Sequence, residues 1–342
     1  MFNLQDIQID SIIAHYIGSK TEDEGTRTSD TEIDGDDSTF ETLKQYFLSP
    51  FKPEEYFHLD KDEAMFGFIS ELFSDRNIFM EQSVKLAHYL YDQSEHPKIK
   101  PGEFYVVYFS NCIIEDEIVD AIGLFKSESK DTFLRIKQYS GGFDIAAETG
   151  VNVNKLDKGC LIFNTEAEQG YLVSVVDASG KGADAQYWRN SFLHLKPRRD
   201  DYYQTRSYLD MCKTFVVEQA PKEFQVTKAD QADFLNKSAN FFKSNQEFDL
   251  NSFTQEVIPQ PEIAESFKEY KKQYEVEKEV KLDEEFSISL PAVKKQAKVF
   301  KNVIKLDKNF HIYVHGNREY IVKGFDEQTG MHYYQLYFKE EE

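Results

Sequence analysis

Cysteine is scarce: Cys112, Cys160 and Cys212 are the only three in 342 residues, and no two stand in a CxxC spacing. An odd, widely spaced set supports neither a disulfide framework nor a zinc site, and it suits a reducing compartment. No apolar run reaches the roughly 18 residues of a transmembrane helix. Met1 to Asp10 alternates polar and apolar residues, without the basic and apolar regions of a signal peptide. The expectation is a cytoplasmic protein with no membrane contact. Positive charge is also short: 40 Lys and Arg face 61 Asp and Glu, a net charge of −21. Taken whole, that balance repels polyanions at long range. Rings are plentiful, with 29 Phe and 20 Tyr, and 40% of the chain is hydrophobic. Such a chain buries a sizeable core and is no disordered acidic solvator. Its length suits two domains, or one with a helical insert.

The charge is unevenly placed. Residues 1–100 carry 21 acids and 9 bases; residues 101–200 carry 15 and 11; residues 201–342 carry 25 and 20. Glu22–Asp37 alone holds eight acids and one base, Arg27. Rich in Ser, Thr and Gly, it reads as a mobile acidic loop. Pro291–Phe325 is the opposite, with eight bases and two acids. A smaller basic knot is Lys196-Pro197-Arg198-Arg199. The molecule is dipolar, not uniformly negative.

Periodicity sets the elements. Residues 4–17 alternate as a strand. Thr39–Phe47 predicts a short helix. Ala64, Met65, Phe68, Ile69, Leu72 and Phe73 recur at helical spacing, and Asn77–Tyr91 predicts a second helix. The period then falls to two over 104–110, 117–126, 131–139, 159–164 and 171–176, with turn residues between, which predicts a largely antiparallel meander. Helices are expected over 201–217, over 228–243 behind a Thr227 cap, in a short turn to Val257 capped by Asp249 or Asn251, and over 262–279. Strands are expected over 286–290, 299–306, 310–314, 320–322 and 333–338, with a helical turn at 291–298. The fold class is α+β. The domain expectation is an α+β domain over 1–195 with its acidic loop at 20–38, a helical segment over 196–280, and a β-rich basic module over 281–342.

Chemistry-bearing motifs are few. His311 and His315 lie four apart in a strand, about 13 Å, too far to share a metal directly. His88 and His96 have no partner at metal-ligand spacing. HExxH, P-loop, GxSxG and Rossmann patterns are missing. Ser179-Gly180-Lys181-Gly182 lacks P-loop spacing and reads as a loop. The expectation is no enzyme, no metal and no cofactor. The remaining candidates are bases beside rings: Lys196, Arg198 and Arg199 near Tyr202 and Tyr203, then Lys294, Lys295, Lys298, Lys301, Lys305 and Lys308 near Phe310 and Tyr313. That mixture suits phosphate neutralisation and base stacking. Taken alone it suits better the bland reading, Lys-rich edges that keep a β module soluble.

Three patterns, in order, resemble the bacterial nucleoid-associated family known as NdpA or YejK. They are Phe79-Met80-Glu81-Gln82-Ser83-Val84-Lys85-Leu86-Ala87-His88-Tyr89-Leu90; Ile99-Lys100-Pro101-Gly102-Glu103-Phe104-Tyr105-Val106-Val107; and Tyr187-Trp188-Arg189-Asn190-Ser191-Phe192-Leu193 followed by Asp201-Tyr202-Tyr203-Gln204-Thr205. The acidic insert departs from the pattern. Trp188, Phe192 and Leu193 read as core at the junction of sheet and helical middle. The resemblance implies a nucleoid location and association with the chromosome, without catalysis, and supplies no DNA-contact motif. The partners expected are duplex DNA, held by its backbone, or nucleoid proteins reached as an adaptor. A carboxylate-based nuclease or hydrolase is the third reading. A homodimer is open, through the helix 262–279 or the edge strands of the tail.

Overall fold

A computed structural model describes residues 6–51, 54–178, 186–296, 303–306, 310–313 and 320–340. The chain divides into two compact units, Met1–Arg198 and Arg199–Glu342. Helix and strand are mixed throughout, an α+β fold as the periodicities predict.

The first unit is organised by an eight-stranded antiparallel sheet. Its strands are β1 (Gln8–Ile17), β2 (Thr26–Arg27), β3 (Phe57–Leu59), β4 (Gly102–Ile114), β5 (Glu117–Ser127), β8 (Lys158–Phe163), β9 (Leu172–Asp177) and β10 (Leu195–Pro197), in spatial order β10-β3-β9-β8-β5-β4-β1-β2. Successive side chains point to opposite faces. Phe104, Val106, Tyr108, Ile122 and Leu124 therefore share one face, while Val107, Phe109, Ala121 and Phe125 share the other. Helices α2 (Ala64–Ser74) and α3 (Phe79–Gln93) cover the first face with Met65, Ile69, Leu72, Leu86 and Leu90. A π-helical turn, Tyr187–Phe192, adds Trp188 and Phe192. Helix α1 (Asp37–Leu48) covers the second face, where Phe47 stacks on Phe125 at 4.3 Å. Trp188, Phe192 and Leu193 are core, as expected, and belong to the first unit's cluster.

Three expectations need correction. Asp131–Tyr139 (β6) does not join the main sheet; it pairs with Gly142–Gly150 (β7) as a separate hairpin. Its charged residues, Asp131, Arg135, Lys137, Asp144 and Glu148, all fall on one face of that hairpin. The acidic segment is a loop, as expected, but it is fastened to its neighbours. Thr26 and Arg27 pair with Ile17 and Tyr16, Ile33 N–H donates to Ile12 O at 2.9 Å, and Asp36 caps α1 by accepting from Thr39 N–H at 2.8 Å. The expected strand 286–290 is only Glu285–Ser287, and Leu290 already opens a helix. Pro291, in that helix's first turn, suits a helix start and not a strand interior.

Two lysines lie wholly inside. Lys126 and Lys158 face each other across β5 and β8, each side chain 0% exposed. Lys126 Nζ donates to Lys100 O at 2.8 Å and Tyr187 Oη at 3.2 Å and pairs with Glu128 at 3.1 Å. Lys158 Nζ reaches Asp177 at 3.0 Å. Both ammoniums sit over the Tyr187 ring, at 5.5 and 5.1 Å. Burial holds the Lys126 ammonium below the usual lysine range, against the pull of Glu128.

The second unit packs helices α4 (Asp201–Thr214), α5 (Lys228–Ser244), α6 (Leu250–Val257), α7 (Pro261–Glu277) and α8 (Leu290–Gln296). Thr227 and Asp230 form a reciprocal capping box on α5, and Asp249 caps α6 through Ser252 N–H at 2.7 Å. Sequence reading passed over a two-stranded ribbon, Glu247–Asp249 against Glu285–Ser287. It carries Phe248 and Phe286, 4.8 Å apart, into a cluster with Tyr208, Phe242 and Phe253. Two hairpins follow, Val303–Leu306 with Phe310–Tyr313 and Ile321–Asp326 with Met331–Leu336. All three cysteines are buried and free, and burial raises each thiol pKa.

His15 ties the acidic segment to the sheet. Its Nδ1 accepts from Ser29 N–H at 3.1 Å, so the ring proton sits on Nε2 and is donated to Ser83 Oγ at 3.0 Å. Burial, with His88 nearby, pushes its pKa down to about 4. The unfolded chain takes this proton near the ordinary value of about 6.5. The tie is therefore fully present above pH ~6.5, and up to roughly 3 kcal/mol is lost as pH falls to ~4. Urea unfolding at a series of pH values should show this loss, and His15→Gln should flatten that part of the curve.

Candidate functional site

The basic knot at 196–199 divides between the two units, and its members have different surroundings. Lys196, on β10, pairs with Asp60 at 2.7 Å. Arg198 is gripped more firmly. Its guanidinium donates twice to Glu115, at 2.6 and 2.9 Å, and again to Glu166, and it lies over the Tyr56 ring at 5.9 Å. Glu115 and Glu166 both sit in left-handed backbone, with φ of 48° and 55°. Glu115-Asp116 forms the two-residue turn between β4 and β5, where both residues have positive φ and Asn-Gly is the usual choice. Arg198 thus braces two turns that their own residues disfavour. It holds the Glu115 carboxyl below the usual carboxylate range, and the two acids raise its own pKa. His58 Nε2 donates to the second oxygen of Glu166 at 2.6 Å.

Arg199 stands differently. It is exposed just before Asp200, whose carboxylate caps α4 by accepting from Tyr203 N–H at 3.0 Å. Arg199 and Arg206 both lie near enough to Tyr203 to oppose the rise that burial gives its phenol pKa. Arg206 and Lys213 flank Asp210 in the same way. Residues 203, 206, 210 and 213 follow a three–four–three spacing, one stripe of the helix. Lys294 and Lys295 occupy the last turn of α8, which packs on α4. Both are exposed, and Lys295 Nζ lies 5.6 Å over the Tyr202 ring. The structure therefore places Arg199, Lys294 and Lys295 on the exposed surface of the second unit, as it does Arg206 and Lys213. Their signal in the sequence is helical spacing from Tyr203, not a linear run of bases. Lys305 lies in the strand Val303–Leu306, its backbone opposite His311. Lys298, Lys301 and Lys308 lie outside the described residues, as do His315 and the 179–182 segment.

Other chemistry is sparse. Among the described residues no group of three or more His, Cys, Asp or Glu is placed to hold a metal ion. No described helix is long and apolar enough to cross a membrane. A cleft of about 250 Å³ lies beside the π-helical turn Phe215–Gln219, lined by Phe224, Phe234, Val257 and Ile263. The Asp233–Lys237 ion pair, 2.8 Å, stands at it. It is smaller than the roughly 300–1,000 Å³ of ligand sites.

Residues 13–330 match the family described as nucleoid-associated protein YejK. The chain belongs to this family. No curated protein matches the chain significantly. The YejK match runs from β1 to the final hairpin and so spans both units. The patterns that carry the resemblance map onto α3, the entry to β4, the π-helical turn and the start of α4. Their Phe79, Leu86, Leu90, Phe104, Trp188, Phe192, Tyr202 and Thr205 are buried. The YejK likeness is thus written in the packing, while the basic stripe lies on the surface.

Two adjacent arginines should separate in their effects. Arg198→Ala should cost the first unit about 2 kcal/mol, less than the 3–5 of a fully buried pair, because Glu115 is half exposed. Arg199→Ala should leave unfolding within about 0.5 kcal/mol of the parent. Denaturant midpoints of the two variants check this.

Proposed function

We propose that this chain is a non-enzymatic cytoplasmic protein of the nucleoid that contacts duplex DNA through its phosphates, weakly and with little sequence preference. The observation that supports this most is the cluster of exposed bases in the second unit, Arg199, Arg206, Lys213, Lys294 and Lys295, beside Tyr202 and Tyr203. Membership of a nucleoid-associated family gives that cluster a polymer to meet. The Lys298, Lys301, Lys305 and Lys308 run of the tail extends the same proposal. Lys196 and Arg198 contribute less, since carboxylates hold them. Residues 1–198 hold 35 acids and 19 bases, so the first unit is repelled by DNA and the second makes the contact. The Debye length of about 8 Å at physiological salt lets a local patch act within a negative molecule. Backbone contact carries position and not sequence.

A second reading rests on the acidity itself. The ordered segment Glu22–Asp37, with eight acids, presents a row of carboxylates that a basic nucleoid protein would accept in place of DNA. In that reading the chain is an adaptor.

Anisotropy titrations on duplex DNA distinguish the two. Neutralising about four phosphates gives a log–log salt slope near −3.6, so affinity should fall on the order of 100-fold between 50 and 200 mM salt. Arg199→Glu with Lys294→Glu and Lys295→Glu should abolish binding at low salt. No binding at micromolar protein, with partners that survive nuclease digestion in a pull-down, would leave the adaptor reading standing. DNA incubated with the protein and Mg²⁺ or Mn²⁺ should remain intact.

A further inference from the structure

Pro221 accounts for the cleft beside the π-helical turn. It has no N–H to give, and a proline ring clashes with the carbonyl four residues before it. The helix that begins as α4 therefore widens ahead of it, and Ala220 N–H reaches back to Phe215 O. Such π turns are rare and are often found at functional sites. The widened turn puts Phe215, Val216 and Ala220 on one wall of the cleft. Helix α5 supplies a second wall with Asp230, Asp233, Phe234 and Lys237, a spacing that keeps all four on one face. Val257 and Ile263 close the third side, where α6 ends and α7 begins. Phe215, Val216, Ala220 and Val257 are no more than 3% exposed, so the floor is apolar and already shielded from water.

We propose that this cleft binds a small uncharged aromatic molecule, a single or fused ring with at most one hydroxyl or amide group. Size sets the upper limit. The cleft holds about 250 Å³, too little for a nucleotide or another large ligand, whose sites run from roughly 300 Å³ upward. An apolar cavity of about 150 Å³ is already enough for benzene. Shape favours a ring. Phe215 and Phe234 stand with centroids 6.0 Å apart and planes tilted by 47°, and the half-buried Phe224 lines the same cleft. A guest ring there meets both faces and edges, the contacts that aromatic pairs prefer. Charge decides against an ion. Asp233 is matched by Lys237 at 2.8 Å. Asp230 accepts from Thr227 N–H at 2.8 Å and from Thr227 Oγ1 at 2.6 Å, in the capping box of α5. A charged guest would have to take its counter-ion from one of these partners. The polar capacity left is neutral, the exposed amides of Gln225 and Gln260. Gln260 does not cap α7 with its side chain, so its amide can meet one hydrogen-bonding group on the guest.

Saturation-transfer NMR of the full chain with benzyl alcohol, benzylamine and benzoate tests this, since the three share one ring and differ in charge. Benzyl alcohol should bind in the high-micromolar to millimolar range, as suits a ligand of so few atoms. Each charged ring should bind at least fivefold more weakly. Ala220→Leu fills the cleft from its buried wall and should abolish the benzyl alcohol signal without lowering the urea midpoint. Ile263→Phe narrows the cleft from a half-buried position and should weaken benzyl alcohol at least fivefold, which covers the case in which the leucine variant does not fold. Three results overturn the proposal: no binding of benzyl alcohol at about 10 mM, binding that survives both variants, or a charged ring that binds within fivefold of the alcohol.

Discussion

An antiparallel sheet with large apolar side chains on both faces must be covered twice. That requirement organises the first unit. Helices α2 and α3 and the Tyr187–Phe192 turn cover one face, and α1 covers the other. The helices come from before the central strands, and the π-helical turn comes from after them. The layers therefore tie together residues far apart in the chain. Covering the sheet so fully also traps charge. Lys126 and Lys158 end up inside, and each needs a carboxylate, a carbonyl or a ring to replace its water. Buried ion pairs of this kind give little net stability, but removing one member is costly.

What could be read from the sequence was what depends on near neighbours. The helical spacing of Met65, Ile69 and Leu72, the alternation of Phe104, Val106 and Tyr108, and the Thr227 cap are local facts, and the fold repeats them. What could not be read depends on partners distant in sequence. Lys158 looks like a turn residue between Asp157 and Gly159, and only the strand pairing buries it. His15 looks like any strand residue until Ser29 and Ser83 close on it. Phe248 sits in too short a run to announce a strand, and its partner Phe286 is far away in the chain. The candidate site shows the same limit. Arg198 and Arg199 are identical neighbours in the sequence, yet one braces two strained turns while the other stands exposed.

Family likeness and surface charge carry separate information here. The YejK signature lies among buried side chains, so it reports a shared way of packing. The bases of α4 and α8 report what the surface can hold. The net charge describes neither. It averages a first unit with 35 acids and 19 bases and a second unit in which Arg206 and Lys213 share one helix stripe while Lys294 and Lys295 end another helix. At short range in salt solution local charge acts and not the average.

The Arg198 brace also bears on the order in which the first unit is completed. Strands β4 and β5 are consecutive and joined by a two-residue turn, so their pairing is local and early. Arg198 is the final residue of the unit, 83 positions beyond Glu115 and 32 beyond Glu166. A chain made from its N-terminus presents both left-handed turns well before the guanidinium that steadies them exists. Until that residue emerges, the two acids face solvent without their cation, and the sheet's ends stay open to exchange. The unit is fastened by the last residue to be added to it.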